Sequence, residues 1–346
     1  GRVTDVDWAG KSVLLQDGHT VGFDYLVLAS GVTSACGRIP GAAKHAIPLK
    51  SVNDATRLRN SLLRSFEAAA ADPAGSTAAA TSIAVVGGGS TGVELSGYVA
   101  NFLFHQQFAA DYPQLDPARM RVTLLEQGDR LLAGFHPSLS RYALRLLRSR
   151  GVDVRLETAV ETITGDAVTL RGGERVPAAT VVYAAGVEAP GWIRRLALAL
   201  NRGRLVVDGD LRVPGHPDTF AVGDLAAVTS PAGVVYPQLA QVAIQSGRHA
   251  ARQIALLTTG RPTEPFSYFD KGMMAIIGRN AAIVQMRGLR LTGRLAWLAW
   301  GLLHVGYLPG TVNRASTGLK YLWWHLTHEN VHRVLIETEQ DRTPVA

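Results

Sequence analysis

Short apolar runs that end in small residues punctuate the chain: Tyr25–Gly31, Ile83–Gly89, Thr180–Gly186 and Thr219–Asp224. A run that is apolar on both faces predicts a strand covered on both sides, as in a parallel sheet. Longer stretches with helical spacing separate these runs. One starts near Ser51 and reaches about residue 70, with Asp54 in the capping-box position. A second follows the glycines at 87–92 and extends to about Gln107. A third covers Pro137 to Arg150 and stops at Gly151, a natural left-handed helix end. A fourth covers Pro237 to Thr258.

The remaining segments predict shorter elements. Residues 2–30 alternate as a strand pair does, turning through Gln16–His19. Residues 71–82 have the composition of a linker. A polar, proline-bearing insert from Asp111 to Arg119 precedes the strand Arg121–Glu126. Short strands follow from Val152 to Leu170, and a third region spans 203–260. Residues 266–290 predict strands around Gly278, and 291–335 a helical end rich in apolar and aromatic residues.

Composition narrows the class. With 346 residues, 47% hydrophobic and 18% charged, the chain has room for two domains of an α/β protein. Its net charge of +7 suits an anionic surface. The basic residues are scattered without a nucleic-acid motif, so a membrane surface, not nucleic acid, is the expected partner; a simple solubility charge explains the figure equally well. Cys36 is the one cysteine. That excludes an intrachain disulfide, a Cys-x-x-Cys redox pair and a cysteine zinc site, and it fits a reducing compartment. The histidines show no metal-ligand spacing, so no metal is expected; His325 and His328 read as surface residues. The first residues do not form a signal peptide, and the chain opens inside a hairpin pattern, as if a preceding part were missing.

The candidate chemistry sits at the ends of the apolar runs. Gly87, Gly89 and Gly92 have G-x-G-x-x-G spacing between a strand and a helix. The first allows a tight turn, the second lets a pyrophosphate approach the backbone, and the third lets helix and strand pack closely. The helix N-terminus that follows favours phosphate. Glu126 ends the next strand, where a carboxylate accepts both ribose hydroxyls and repels a 2′-phosphate, favouring NAD over NADP. A glycine turn in an unrelated α/β sheet has the same local pattern. Gly223 and Asp224 end another strand, where the Asp suits a polyol hydroxyl or a plain turn cap. Gln238, Gln241 and Gln245 follow on one helix start with small Ala240 and Ala243 between them, which leaves room for a flat ring or makes an ordinary polar face. Leu295–Pro309 is apolar nearly all round yet shorter than a bilayer span. Flanked by Arg290 and Arg294, it suits a helix lying at a membrane interface, a buried helix or a dimer contact.

Together these segments resemble the two-dinucleotide flavoproteins, and among them the type II NADH dehydrogenases, which are non-proton-pumping NADH:quinone oxidoreductases. The most specific carriers are Ala240–Gly247, with Gln241 and Gln245, and Lys271–Gly278. The resemblance implies an α/β fold with two Rossmann-like dinucleotide-binding domains. The FAD domain is incomplete at its N-terminus, the NADH domain is inserted in it, and a helical C-terminal segment associates with the membrane. Its boundaries fall at 1–78 and 191–265 for the FAD domain, 79–190 for NADH, and 266–346 for the C-terminal region.

The resemblance also implies roles. Gly87, Gly89, Gly92 and Glu126 would hold NADH, and Glu94 would be cofactor-binding. Ala29, Gly31, Gly186, Gly223, Asp224 and Ala240 would belong to the cofactor sites, with Asp224 on the FAD ribityl-phosphate region. Gln241 and Gln245 would act beside the flavin at the quinone pocket. The implied partners are NADH, a membrane quinone, the cytoplasmic face of the cell membrane and a second copy of the chain. The family's first glycine motif, for the FAD pyrophosphate, is not among these residues, so the chain reads as a fragment, the product of a misplaced start or a degenerate relative. Two other functions fit the same residues: a truncated, non-catalytic NAD-binding membrane protein, and an NADH-dependent reductase of a ferredoxin-like protein.

Overall fold

The structure is a computed structural model that describes residues 1–72, 78–103, 106–230 and 233–327. Its contacts divide the chain into two compact units, Gly1–Ala35 with Val187–Lys271, and Cys36–Gly186 with Gly272–Ala346. The described residues 36–72 therefore belong to the second unit, where the resemblance implies boundaries at 78, 190 and 265. The reason is strand pairing: Ala46–Pro48 joins Thr180–Tyr183 as a parallel neighbour.

The second unit is built on a five-stranded parallel sheet. Its spatial order is Ala46–Pro48, Thr180–Tyr183, Ile83–Val86, Val122–Leu125 and Val152–Arg155. Every residue of Ile83–Val86, Val122–Leu125 and Thr180–Tyr183 is buried, which is why these runs lack polar alternation. Helix Val52–Ala71 begins in a complete capping box: Asp54 N–H donates to Ser51 Oγ, and Asp54 accepts from Ser51 N–H. Helices Ser90–Leu103 and Pro137–Ser149 supply the core residues Val93, Val99, Leu139 and Leu147. Gly151 ends the latter at φ +78. The Asp111–Arg119 insert holds the short 3-10 turn Pro117–Arg119, capped by Asp116.

Two antiparallel sheets complete this unit. One pairs Val160–Ile163, Ala167–Leu170 and Arg175–Pro177. The other pairs Met273–Ile276, Ala282–Met286 and Leu289–Thr292, and leads into helices Gly293–Tyr307 and Thr311–Thr327. Trp297 and Tyr321 stack between those helices at 5.1 Å. The predicted helical end beyond 327, with His328, lies outside the described residues.

In the first unit, Val3–Asp7, Ser12–Leu15 and Thr20–Gly22 form an antiparallel meander. Within the apolar run Tyr25–Gly31 the strand itself is shorter, Leu26–Leu28. It pairs in parallel with His216–Ala221. Helix Ala240–Thr258 buries Val242, Ser246, His249, Ala250 and Gln253. The polar members of that set are bonded: His249 Nε2 meets Glu264 O at 3.0 Å, and Gln253 Oε1 accepts from Glu264 N–H at 2.7 Å.

Candidate functional site

In the second unit the site grows from the end of Ile83–Val86. Gly87 has φ +112, and a Cβ there would stand 2.5 Å from Ala184 O. A Cβ on Gly92 would strike Gly87 O, so the helix lies against the turn only because position 92 has no side chain. Nothing lies within 4 Å of the position a Cβ would take on Gly89, which leaves that face of the turn open to a ligand. Gly87 and Gly92 thus carry steric constraints of the turn and of the helix packed on it, while Gly89 is open.

The turn sits where the sheet order reverses. The chain leaves Ile83–Val86 for Val122–Leu125 on one side, and Thr180–Tyr183 returns on the other. Crevices of this kind, beyond the carboxyl ends of parallel strands, are where such sheets bind ligands. Gly186, at φ +130, ends the returning strand beside the turn.

Glu126 ends the next strand, and both of its oxygens are engaged. Oε2 accepts from Gly88 N–H at 2.5 Å and Oε1 from Gly128 N–H at 2.6 Å. Gly88 O in turn accepts from Leu132 N–H at 2.8 Å. The carboxylate is thereby fixed in place beside the glycine turn, and each oxygen keeps a lone pair for a ribose hydroxyl. Gly88 is absent from the sequence expectation because only the crossing from strand to neighbouring strand reveals its partner.

Glu94 behaves differently from the other predicted contacts. Its Oε1 accepts from Ile276 N–H at 3.1 Å, tying helix Ser90–Leu103 to strand Met273–Ile276. Burial pushes its carboxyl up to about 7, and the Ile276 bond pulls the other way. Beside it, Gly278 has φ +105, and a Cβ there would strike Asn101 Nδ2 and Arg150 Nη1. Arg150 donates to Ile277 O at 2.5 Å and to Arg279 O at 2.9 Å. A Cβ on Gly97 would strike Ile277 O. The Lys271–Gly278 pattern is therefore in part a packing signature. Gly97 and Arg150 escaped sequence reading, since a helical glycine and one arginine among many carry little signal on their own.

In the first unit, two turns lie side by side. Ala221 is in register with Leu28, and Val222 N–H donates to Leu28 O at 3.1 Å. Ala29 and Gly31 (φ +65) leave one strand, and Gly223 (φ +67) and Asp224 leave the other. Gly223 N–H donates to Ser246 Oγ at 3.0 Å, and a Cβ on Gly223 would stand 3.2 Å from Ala243 Cβ. Gln238 Nε2 donates to Asp224 O at 3.0 Å. The start of helix Ala240–Thr258 is thus drawn onto the Gly223–Asp224 turn, with exposed Ala240 beginning the helix.

Gln241 and Gln245 both face one strap of backbone. Gln245 Oε1 accepts from Phe269 N–H at 2.9 Å while its Nε2 donates to Phe269 O at 3.0 Å. Gln241 Oε1 accepts from Lys271 N–H at 3.2 Å. Each glutamine holds a position along residues 269–271, a relation invisible in the helix sequence.

A parallel sheet with a dinucleotide turn, joined to a unit with paired strand-end turns, defines the pyridine nucleotide-disulphide oxidoreductase class, and residues 1–247 match that family. The type II NADH:quinone oxidoreductase Ndh of Mycobacterium tuberculosis is 35% identical over 350 residues, spanning 96% of this chain and 73% of that protein. The demethylphylloquinone reductase NdbB of Synechocystis is 31% identical over 330 residues, spanning 93% of this chain and 76% of that protein. The structure of NDH2 from Plasmodium falciparum in complex with NADH shares the fold, with TM-score 0.86 at 18% identity over 97% of this chain and 84% of that one. The chain belongs to this family, among its type II NADH:quinone oxidoreductases.

Proposed function

We propose that the chain oxidises NADH and delivers two electrons to a quinone at a membrane surface, with FAD as its resident cofactor and without pumping protons. The observation that carries this reading is the Gly87–Gly92 turn with the Glu126 carboxylate held beside it by Gly88 and Gly128. That arrangement suits a dinucleotide pyrophosphate on the turn and an adenosine ribose on the carboxylate.

The first unit's residues fit a flavin nucleotide. Gly31 and Gly223 give two adjacent turns at positive φ, and nothing lies within 4 Å of the Cβ position of Gly31. Asp224 follows strand His216–Ala221 and is of a type that suits a polyol hydroxyl, and the N-terminus of helix Ala240–Thr258, with no side-chain cap from Leu239, favours negative charge. Bound flavin supplies the two-electron relay between the half-reactions. The protein's part is to bind and orient. Gln241 and Gln245 keep the 269–271 strap in place, and Ala240 leaves room at the helix start. Cys36 is the one cysteine of these 346 residues, so they hold no dithiol pair.

Two helices support the membrane side of the reading. Leu295, Leu298 and Leu302 on Gly293–Tyr307, and Val312, Leu319 and Trp323 on Thr311–Thr327, are exposed, with Leu302 at 77% and Val312 at 78%. No helix among the described residues is long and apolar enough to cross a membrane. An apolar outer face on short helices suits docking at the interface, where quinone is found.

The test is the purified product of the whole gene. It should be yellow, and NADH should bleach the flavin until a soluble quinone restores the colour. Flotation with anionic vesicles should carry it upward. A flavin-free whole protein, or one whose flavin NADH reduces but quinone does not reoxidise, overturns the reading.

A further inference from the structure

Helices Val52–Ala71 and Ser90–Leu103 leave a cavity of about 370 Å³ between them. Its walls are apolar, among them Leu62, Leu63, Phe66, Val99 and Phe102. The volume falls within the ~300–1,000 Å³ of small-molecule sites. One cation lines it. Arg59 Nε and Nη2 are buried, and neither has a hydrogen-bond partner among the described residues. The phenol of Tyr98, also on the wall, is close enough for the Arg59 charge to oppose the upward shift that burial gives it.

A buried guanidinium edge without an acceptor is costly, and proteins ordinarily satisfy such groups. Nε and Nη2 form the side-on fork that matches the two oxygens of a carboxylate or phosphate. A neutral apolar ligand would leave that fork unanswered, and a small inorganic anion would leave the Phe66 and Phe102 walls uncovered. An apolar tail with an anionic head satisfies both.

We propose that this cavity binds an anionic single-chain amphiphile, with its head on Arg59 and its tail along Phe66 and Phe102. The site is separate from the Gly87–Gly92 turn and Glu126, so its occupancy can be read without reference to NADH oxidation.

The experiment uses the whole protein and a long-chain fatty acid bearing a diazirine. Photolysis should label peptides covering residues 52–66 and 95–102. Hexadecanoate or lysophosphatidylglycerol should suppress the labelling, and the stronger competitor identifies a free carboxylate or a lipid phosphate as the head. Hexadecanol should compete at least tenfold less well. Arg59→Met keeps the wall apolar and should weaken probe binding by about tenfold or more, the size expected for a hydrogen bond to a charged group, with NADH affinity unchanged. Labelling confined to other peptides, equal competition by hexadecanol, or an unaltered Arg59→Met affinity overturns the proposal. If that variant does not fold, the contrast between acid and alcohol on the unmodified protein decides alone.

Discussion

The turn at Gly87–Gly92 and the turn at Gly223–Asp224 both follow strands with a parallel neighbour, yet they are assembled differently. The first is almost finished by its own strand–turn–helix: Gly87 shapes the turn, Gly92 admits the helix and Gly89 stays open. The Ala184 carbonyl, Leu125 O, Glu126 and Leu132 N–H reach it from close by. The second needs segments from across its unit. Leu28 brings in the first turn, Ser246 and Gln238 anchor the helix, and Gln241 and Gln245 hold residues 269–271. A site built by local sterics is sensitive to a single methyl group. A site built by many weak hydrogen bonds should lose function by degrees.

That contrast can be broken at its strongest point by Gly92→Ala. The new Cβ would meet Gly87 O, so the helix must shift; a loss of about 3 kcal/mol, the upper range for overpacking, and more than tenfold weaker NADH binding are expected. Thermal melts and NADH fluorescence titration check both. An unchanged affinity would mean that the helix relaxes freely and that the turn is less rigid than its contacts indicate.

Glu94 offers a pH-dependent handle on the same unit. Its folded-state value of about 7 lies above the model-peptide value of 4.5, so the native state holds a proton that the unfolded chain has released. Its contribution to stability is fully present below about pH 4.5 and is lost as pH rises through 7, amounting to about 3 kcal/mol. Melting temperature measured from pH 5 to 8 should fall more steeply for the natural chain than for Glu94→Gln, which keeps an acceptor for Ile276 N–H but does not titrate. Parallel slopes would remove burial as the cause.

Glu126→Ala should cost about 2 kcal/mol, because Gly88 and Gly128 N–H groups lose their acceptor. NADH affinity should fall with it, and discrimination against NADPH should narrow. Competition binding with the two nucleotides measures this. On the other side of the comparison, Gln245→Ala removes two hydrogen bonds to Phe269 at the partly exposed strap and should cost only about 1 kcal/mol. Hydrogen exchange should quicken at Phe269 before global stability changes. An effect as large as that of Gly92→Ala would erase the distinction between the two sites.

The smallest expected effect serves as a reference outside both turns. Ser51→Ala removes one half of the capping box of helix Val52–Ala71 and should cost about 1 kcal/mol with NADH affinity unchanged. A loss of affinity there would show that this helix couples to the nucleotide turn.

Sequence alone determined the features that depend on near neighbours. Unbroken burial of Ile83–Val86 and Thr180–Tyr183 is legible because both faces of a parallel strand are covered. The glycine spacing is legible because turn, ligand approach and helix packing each fall on one residue. Ser51 with Asp54, and Gly151, announce helix ends through bonds and dihedrals that span a few positions. Tertiary structure decided what distant segments share. It moved residues 36–72 to the second unit through the pairing of Ala46–Pro48 with Thr180–Tyr183. It turned Glu94 toward Ile276 and gave Gln241 and Gln245 a strap to hold. It also set Arg59 in an apolar cavity. A glycine carries its constraint in its own missing side chain, and so it can be read in one dimension. A carboxylate, an amide or a guanidinium takes its meaning from whatever the fold places opposite it.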